Sequence, residues 1–279
     1  MLSASTVVKS LIKTTAPTKQ TDTPSISALG LYLLGIRTER PSSGFLRGIR
    51  SRYDKVAEEY DKGGEVWRFS RVRKREFIFK CLEKYGLLRE GGILVDLGCG
   101  SGAYVPDLVN EGLFVIGIDL SLNMLRVARR SAPGAQFVLA SMYDLPLRSA
   151  VFDALIAMGP AIQFHSASHF GIHKPALLEI RRTAKRGAAV VFDLNNPLTP
   201  LYFCSYPRDI FRLRRLAYPW SVVRFMTTLG FKVAEVASCV FLLLPVYHRF
   251  QLKMERHVAQ IPILRFFGRF LMLCAIIRH

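Results

Sequence analysis

The run Ile93-Leu94-Val95-Asp96-Leu97-Gly98-Cys99-Gly100-Ser101-Gly102 constrains this chain more than any other feature. An apolar strand pattern ends in an acid and opens at once into three glycines at alternate positions. Glycine accepts positive φ and carries no Cβ, so the segment can turn sharply from strand to helix while leaving backbone bare for a ligand to approach. Further on, a second apolar run, Leu113 to Ile118, ends in Asp119, where a carboxylate would read the hydroxyl pair of a ribose. Two strand ends thus point at one nucleotide-like ligand.

The surrounding pattern alternates strands and helices: strands over 93–97, 114–118, 136–139 and 153–158, and helices over 102–111 and 121–131. Short continuous apolar strands between amphipathic helices imply an α/β fold, a doubly wound Rossmann-like sheet, mostly parallel, with helices on both faces. Upstream, 67–88 reads as a helix ending at Gly86, its arginines outward, and Thr38 to Gly48, with Pro41 and Gly44, reads as a linker. Downstream, Pro175 suits a helix first turn and Gly187 a stop before a strand over 188–194. Pro219 to Leu229 reads as a helix, 231–239 as a strand, 246–269 as a mostly helical excursion and 271–277 as a last strand. This divides the chain into an N-terminal extension and linker (1–50), a ligand-binding core (51–240) and a C-terminal helix and strand completing the sheet (241–279).

Asp96-Leu97-Gly98-Cys99-Gly100-Ser101-Gly102, followed by Ile118-Asp119-Leu120-Ser121-Leu122-Asn123-Met124-Leu125, resembles the class I S-adenosylmethionine-dependent methyltransferases, particularly the small-molecule and quinone-methylating branch. Tyr53 to Asp61 resembles the helix that often precedes that domain, and Asp144-Leu145-Pro146 with Phe152-Asp153 resembles the stretch around its fourth strand. The resemblance implies S-adenosyl-L-methionine as cofactor. It places Gly98, Gly100 and Gly102 against the donor's amino-acid end, Asp96 near its ammonium, Asp119 on both ribose hydroxyls, and Leu120 and Met124 beside the adenine, with Met142 also among the cofactor-binding residues. It also implies an antiparallel C-terminal edge to the sheet. Two departures stand out: Ser141 replaces the acid that often holds the adenine amino group, a role open to Asp144 as well, and Lys185-Arg186-Gly187-Ala188 replaces a Lys-Pro-Gly-Gly turn. Gly98, Gly100 and Ala103 also satisfy the looser nicotinamide-dinucleotide fingerprint, but an acid two residues before the first glycine suits a ligand with a cationic amino group instead.

After the fourth strand, Gly159 to Ser166 occupies the sheet terminus where acceptors bind in such folds, and His165 is the candidate general base, since an unperturbed imidazole titrates near neutrality. His169 and His173 follow at four-residue spacing. With no recurring carboxylate they read as an exposed helical face, and no metal site is expected. Asn195-Asn196-Pro197 reads as a turn or as part of an acceptor pocket.

Composition bears on partners. Five scattered cysteines without a C-x-x-C pair indicate neither a disulfide framework nor zinc, and point to a reducing, cytoplasmic setting. A Ser-, Thr- and Lys-rich start leaves a mitochondrial matrix presequence as the alternative. Net charge is +18 while half the residues are hydrophobic, and residues 201–279 hold 12 basic against 3 acidic ones. Arg208, Arg212, Arg214, Arg215 and Arg224 alternate there with Phe211, Leu213, Leu216, Tyr218 and Trp220, a pattern for peripheral contact with an anionic membrane. RNA is the competing polyanion. The functional readings are therefore an O- or C-methyltransferase of a small amphiphilic or lipid-linked acceptor, a tRNA wobble-uridine methyltransferase, and an inactive donor-binding partner protein.

Overall fold

The computed structural model describes residues 10–12, 41–62, 65–159, 162, 168–199, 217–240, 253–254, 257–258, 261 and 267–278. Its centre is a seven-stranded sheet. The strands are β1 Ile93–Leu97, β2 Phe114–Asp119, β3 Gln136–Leu139, β4 Phe152–Ala157, β5 Ala184–Asn195, β6 Phe231–Cys239 and β7 Phe270–Ile277, in the spatial order β3-β2-β1-β4-β5-β7-β6. The first five run parallel, and β7 inserts antiparallel between β5 and β6. The expected fold class, including its antiparallel edge, is the one observed.

Side-chain alternation explains the layering. Val95, Leu97, Ile116, Leu155, Val190, Phe192 and Leu273 point to one core, and Leu94, Val115, Ile156, Val191 and Cys274 to the other. Helices α5 (Ser168–Thr183) and α6 (Pro219–Thr228) cover the first core with Leu177, Ile180, Val222 and Phe225. Helices α2 (Glu65–Lys84) and α3 (Val105–Asn110) cover the second with Phe77, Ile78, Leu82 and Leu108. Two buried faces need no polar side, which is why these strands read as continuous apolar runs.

Three local expectations are corrected. The linker over Thr38 to Gly48 gives way from Ser43 to helix α1 (Ser43–Val56), because the Ser42 hydroxyl accepts the Phe45 N–H at 3.2 Å and caps it. Helix α1 is docked on α4 (Leu122–Ser131). The Asp54 carboxylate accepts from the Ser121 hydroxyl (2.6 Å) and the Asn123 N–H (3.2 Å), and Arg130 grips both oxygens of Glu58 at 2.7 Å. Second, Pro175 lies inside α5, which begins seven residues earlier, rather than at its start. Third, Gly187 does not follow a helix. It sits within β5 at φ +82°, where the register against β4 jumps from Phe152↔Ala184 to Ala154↔Ala189, and Lys185 in that irregular stretch reaches Asp153 at 2.9 Å.

The excursion over 246–269 and the apolar stretch Ile26 to Ile36 fall largely or wholly outside the described residues. Of the N-terminal residues, Leu11 packs against the first core and its carbonyl accepts the Arg148 N–H at 2.9 Å. Among the described residues no helix is long and apolar enough to cross a membrane.

Candidate active site

Strand order reverses between β1 and β4, so the loops leaving these strands diverge and a crevice opens at their carboxyl ends. A cavity of about 610 Å³ occupies it, walled by Leu97–Ser101 after β1, Asp119–Leu120 after β2 and Met158–Gly159 after β4. Helix α1 covers one side with Phe45, Ile49 and Tyr53, and α2 and α5 supply the other with Ser70, Arg71, Lys74, Ile172 and His173.

The glycine turn is built by backbone bonds to the neighbouring strand. The N–H groups of Gly98 and Cys99 donate to the Ile118 carbonyl at 2.7 and 3.1 Å, and that of Gly100 to Asp119 Oδ2 at 2.9 Å. Gly100 (φ +52°) leaves open wall, since a Cβ there would meet only Tyr60, at 4.0 Å. Gly102 (φ +81°) serves packing instead. A Cβ there would come within 3.1 Å of the Ala128 Cβ, so this glycine lets α4 approach the turn rather than bordering the cavity.

Asp119 is fixed at both oxygens, with Oδ1 accepting the Ser121 N–H at 2.8 Å. Burial raises its pKa, and the hydrogen bonds from Ser121, Gly100 and Leu120 partly oppose that rise. Asp96 precedes the lining residue Leu97 in β1 and is not itself part of the wall; it is 2 % exposed, and its Oδ2 is buried without a hydrogen-bond partner among the described residues. Burial first, and the Asp119 charge second, push its pKa up to about 8. A buried acid left without a donor is a poor arrangement by itself and a good one for a cationic amine. Burial also drives Tyr60 and Tyr143 up to about 12 and Tyr104 well above the ordinary phenol, so all three stay neutral donors at the cavity wall.

The structure gathers Gly98, Gly100, Asp119, Leu120, Met124 and Met142 around the cavity, whereas Asp96 is buried in β1 outside its wall. Ser141 lines instead a smaller adjoining cavity of about 240 Å³, with Leu120, Ala140 and Arg50. Asp144 is exposed and outside both walls, its N–H bonded to the Ser141 carbonyl at 3.2 Å. His165 lies outside the described residues. His173, expected on an exposed face, is buried and borders the cavity. No cluster of metal-ligating side chains occurs among the described residues.

Sequence reasoning alone does not find Lys74, Arg71 and Asp193. Lys74 sits in a basic run that reads as solvated, yet it continues the buried stripe of Phe77, Ile78 and Cys81 one turn earlier. A cation falling on the apolar period of a helix is the available signal.

A methyltransferase domain model matches residues 95–192, the span from β1 to β5. The chain is 26 % identical over 171 residues to a demethylmenaquinone methyltransferase of Paenarthrobacter aurescens, covering 59 % of this chain and 62 % of that one. With the demethylmenaquinone methyltransferase of Corynebacterium kroppenstedtii it is 30 % identical over 176 residues, covering 60 % of this chain and 68 % of that one. The chain belongs to the class I S-adenosylmethionine-dependent methyltransferases. The methyltransferase fold is seen also in magnesium protoporphyrin IX methyltransferase from Synechocystis, solved with S-adenosylhomocysteine (TM-score 0.59, 16 % identity, 84 % of this chain and 99 % of that one). The chain spans 52 to 62 % of the length of three of its curated relatives.

The residues present fit this family's cofactor, S-adenosyl-L-methionine. The unpartnered Asp96 oxygen suits its ammonium, the open wall at Gly100 suits close approach to backbone, and Asp119 presents a fixed carboxylate for a ribose.

Proposed function

We propose that this protein transfers a methyl group from S-adenosylmethionine to an oxygen or carbon of a small amphiphilic acceptor. The observation that carries the reading is the continuity of the cavity. The donor cradle of Gly98, Gly100 and Asp119 opens without a break into a chamber walled by Ile49, Tyr53, Met158 and Ile172. An apolar chamber with a few polar groups suits a drug-sized ligand, and about 610 Å³ lies inside the usual range of roughly 300 to 1,000 Å³ for such sites.

When bound, the cofactor supplies a methyl group already activated on a sulfonium. The chain's own residues then have mainly to orient and to exclude water, and orientation alone can supply about 7 to 11 kcal/mol. Asp96 and Asp119 hold the ammonium and the ribose of the donor, α1 covers it, and the neutral phenols of Tyr60, Tyr104 and Tyr143 offer hydrogen bonds without adding charge. The quinone-methylating relatives support an acceptor with an apolar body.

Calorimetry tests the donor half: S-adenosylmethionine and S-adenosylhomocysteine should bind near micromolar, about −8 kcal/mol. Heat from neither, with binding of a nicotinamide dinucleotide instead, overturns the assignment. Label transfer from methyl-labelled donor into a lipid extract and into bulk tRNA, run side by side, tests the acceptor half. Label in tRNA alone would refute the amphiphilic acceptor.

A further inference from the structure

Lys74 and Asp193 form an ion pair at the cavity wall, with Nζ 2.6 Å from Oδ2, and the two residues are only 2 % and 0 % exposed. Lys74 comes from α2 and borders the cavity, while Asp193 comes from the end of β5 and stands behind the wall. The other Asp193 oxygen accepts the Gly159 N–H at 2.6 Å, and the ammonium lies 4.1 Å from the centroid of the Phe270 ring. The pair thus ties α2, β4, β5 and β7 together at one point.

An ammonium has three N–H donors, and the Asp193 oxygen and the ring face engage two sides of this one. Burying such a pair costs several kcal/mol per ion in desolvation, and apolar residues of like volume would often serve stability as well or better. Stability therefore gives no reason for a lysine on the apolar stripe of α2. The charge of the walls supplies one. The cavity is bordered by Arg52, Arg71 and Lys74, and its only carboxylate wall residue among the described residues is Asp119, at the donor end. Arg71 is paired with Asp61, whereas Arg52, at the exposed rim, makes no ion pair among the described residues.

Resting on the methyltransferase reading above, we infer that Lys74, held by Asp193, is the specificity-determining cation of the acceptor chamber and selects acceptors that carry an anionic oxygen on an apolar body. The carboxylate or phenolate lies against the ammonium, and the apolar part lies along Met158 and Ile172. Asp193 acts through Lys74 and through Gly159 as a positioning residue.

The test compares 2-naphthoate with its neutral amide, 2-naphthamide, by titration calorimetry with and without S-adenosylhomocysteine. The wild-type protein should bind the acid at least tenfold more tightly than the amide. Lys74→Met alone would strand a buried carboxylate, so the decisive variant is Lys74→Met/Asp193→Asn, whose amide oxygen still accepts the Gly159 N–H. It should melt no lower than wild type, bind S-adenosylhomocysteine within twofold of wild type, and lose the preference for the acid. Lys74→Arg should keep that preference, which a purely structural role would not require. Equal binding of acid and amide to wild type, including no binding of either, overturns the inference, and so does a preference that survives in the double variant. Failure of S-adenosylhomocysteine to bind counts against the donor reading instead, and the comparison without it still reports on Lys74.

Discussion

Asp96→Asn should make the free protein more stable and the donor bind less well. In the unfolded chain the Asp96 carboxyl ionises at its ordinary 3.8, whereas in the fold its pKa is about 8, so at pH 7 folding takes up a proton there. An acid whose folded pKa is raised destabilises progressively as pH rises from the unfolded to the folded value, and the penalty is constant above that. At 1.36 kcal/mol per unit, the interval from 3.8 to pH 7 amounts to about 4 kcal/mol. Asparagine keeps the shape and carries no such cost, but it brings amide groups that also want partners, worth about 1 to 3 kcal/mol if unmet. The expected net gain is about 1 to 3 kcal/mol at pH 7, and it turns into a loss of about 1 to 3 kcal/mol near pH 4, where the ionisation penalty is gone and the amide cost remains. The donor loses a charged partner for its ammonium, about 1.5 to 3 kcal/mol or roughly ten- to a hundredfold in affinity. In the wild type the same contact makes donor binding expel a proton below pH 8, so affinity should climb with pH by up to about tenfold per unit. Urea unfolding at several pH values measures the first effect. Calorimetry in buffers of different ionisation enthalpy measures the second. A variant no more stable than wild type at pH 7, with an unchanged dependence of stability on pH, would refute the view that Asp96 is a strained acid awaiting a cation.

Asp119→Ala should cost about 1.5 to 3 kcal/mol of donor binding, because it removes a charged acceptor and frees the Gly100 and Ser121 N–H groups; unchanged affinity in a folded variant would place ribose recognition elsewhere. His165→Ala should lower turnover by roughly 10² or more with donor affinity nearly unaltered, if the ring takes a proton from the acceptor. Loss of donor binding would instead make it a structural residue. The protein should float with anionic liposomes and detach as salt is raised, each basic residue contributing at most about 1 kcal/mol. The exposed indole of Trp220, stacked on Tyr218 at 4.8 Å, offers an apolar contact, while Arg208, Arg212, Arg214 and Arg215 lie outside the described residues. Salt-sensitive tRNA binding without flotation would reverse the choice of surface.

The sheet was legible in the sequence, and so were the turn and the carboxylate that wall one side of the cavity, because these are written in local chemistry. Continuous apolar runs ending at Leu97 and Asp119 are strands buried on both faces, and glycines at alternate positions leave a turn few other functions require. The signals that misled, Pro175 and Gly187, are also local, and there packing overrode propensity: α5 runs on through its proline and β5 absorbs its glycine in an irregular stretch. The opposite wall of the cavity was settled by packing alone. Lys74, Gly159, His173 and Asp193 come from four elements spread over some 120 positions, and no periodicity along the chain brings them together. Whether the positive charge of Lys74 meets solvent or a buried carboxylate depends on how α2 lies across the end of β5, and side-chain burial, unlike strand period, is fixed by what the rest of the chain places opposite.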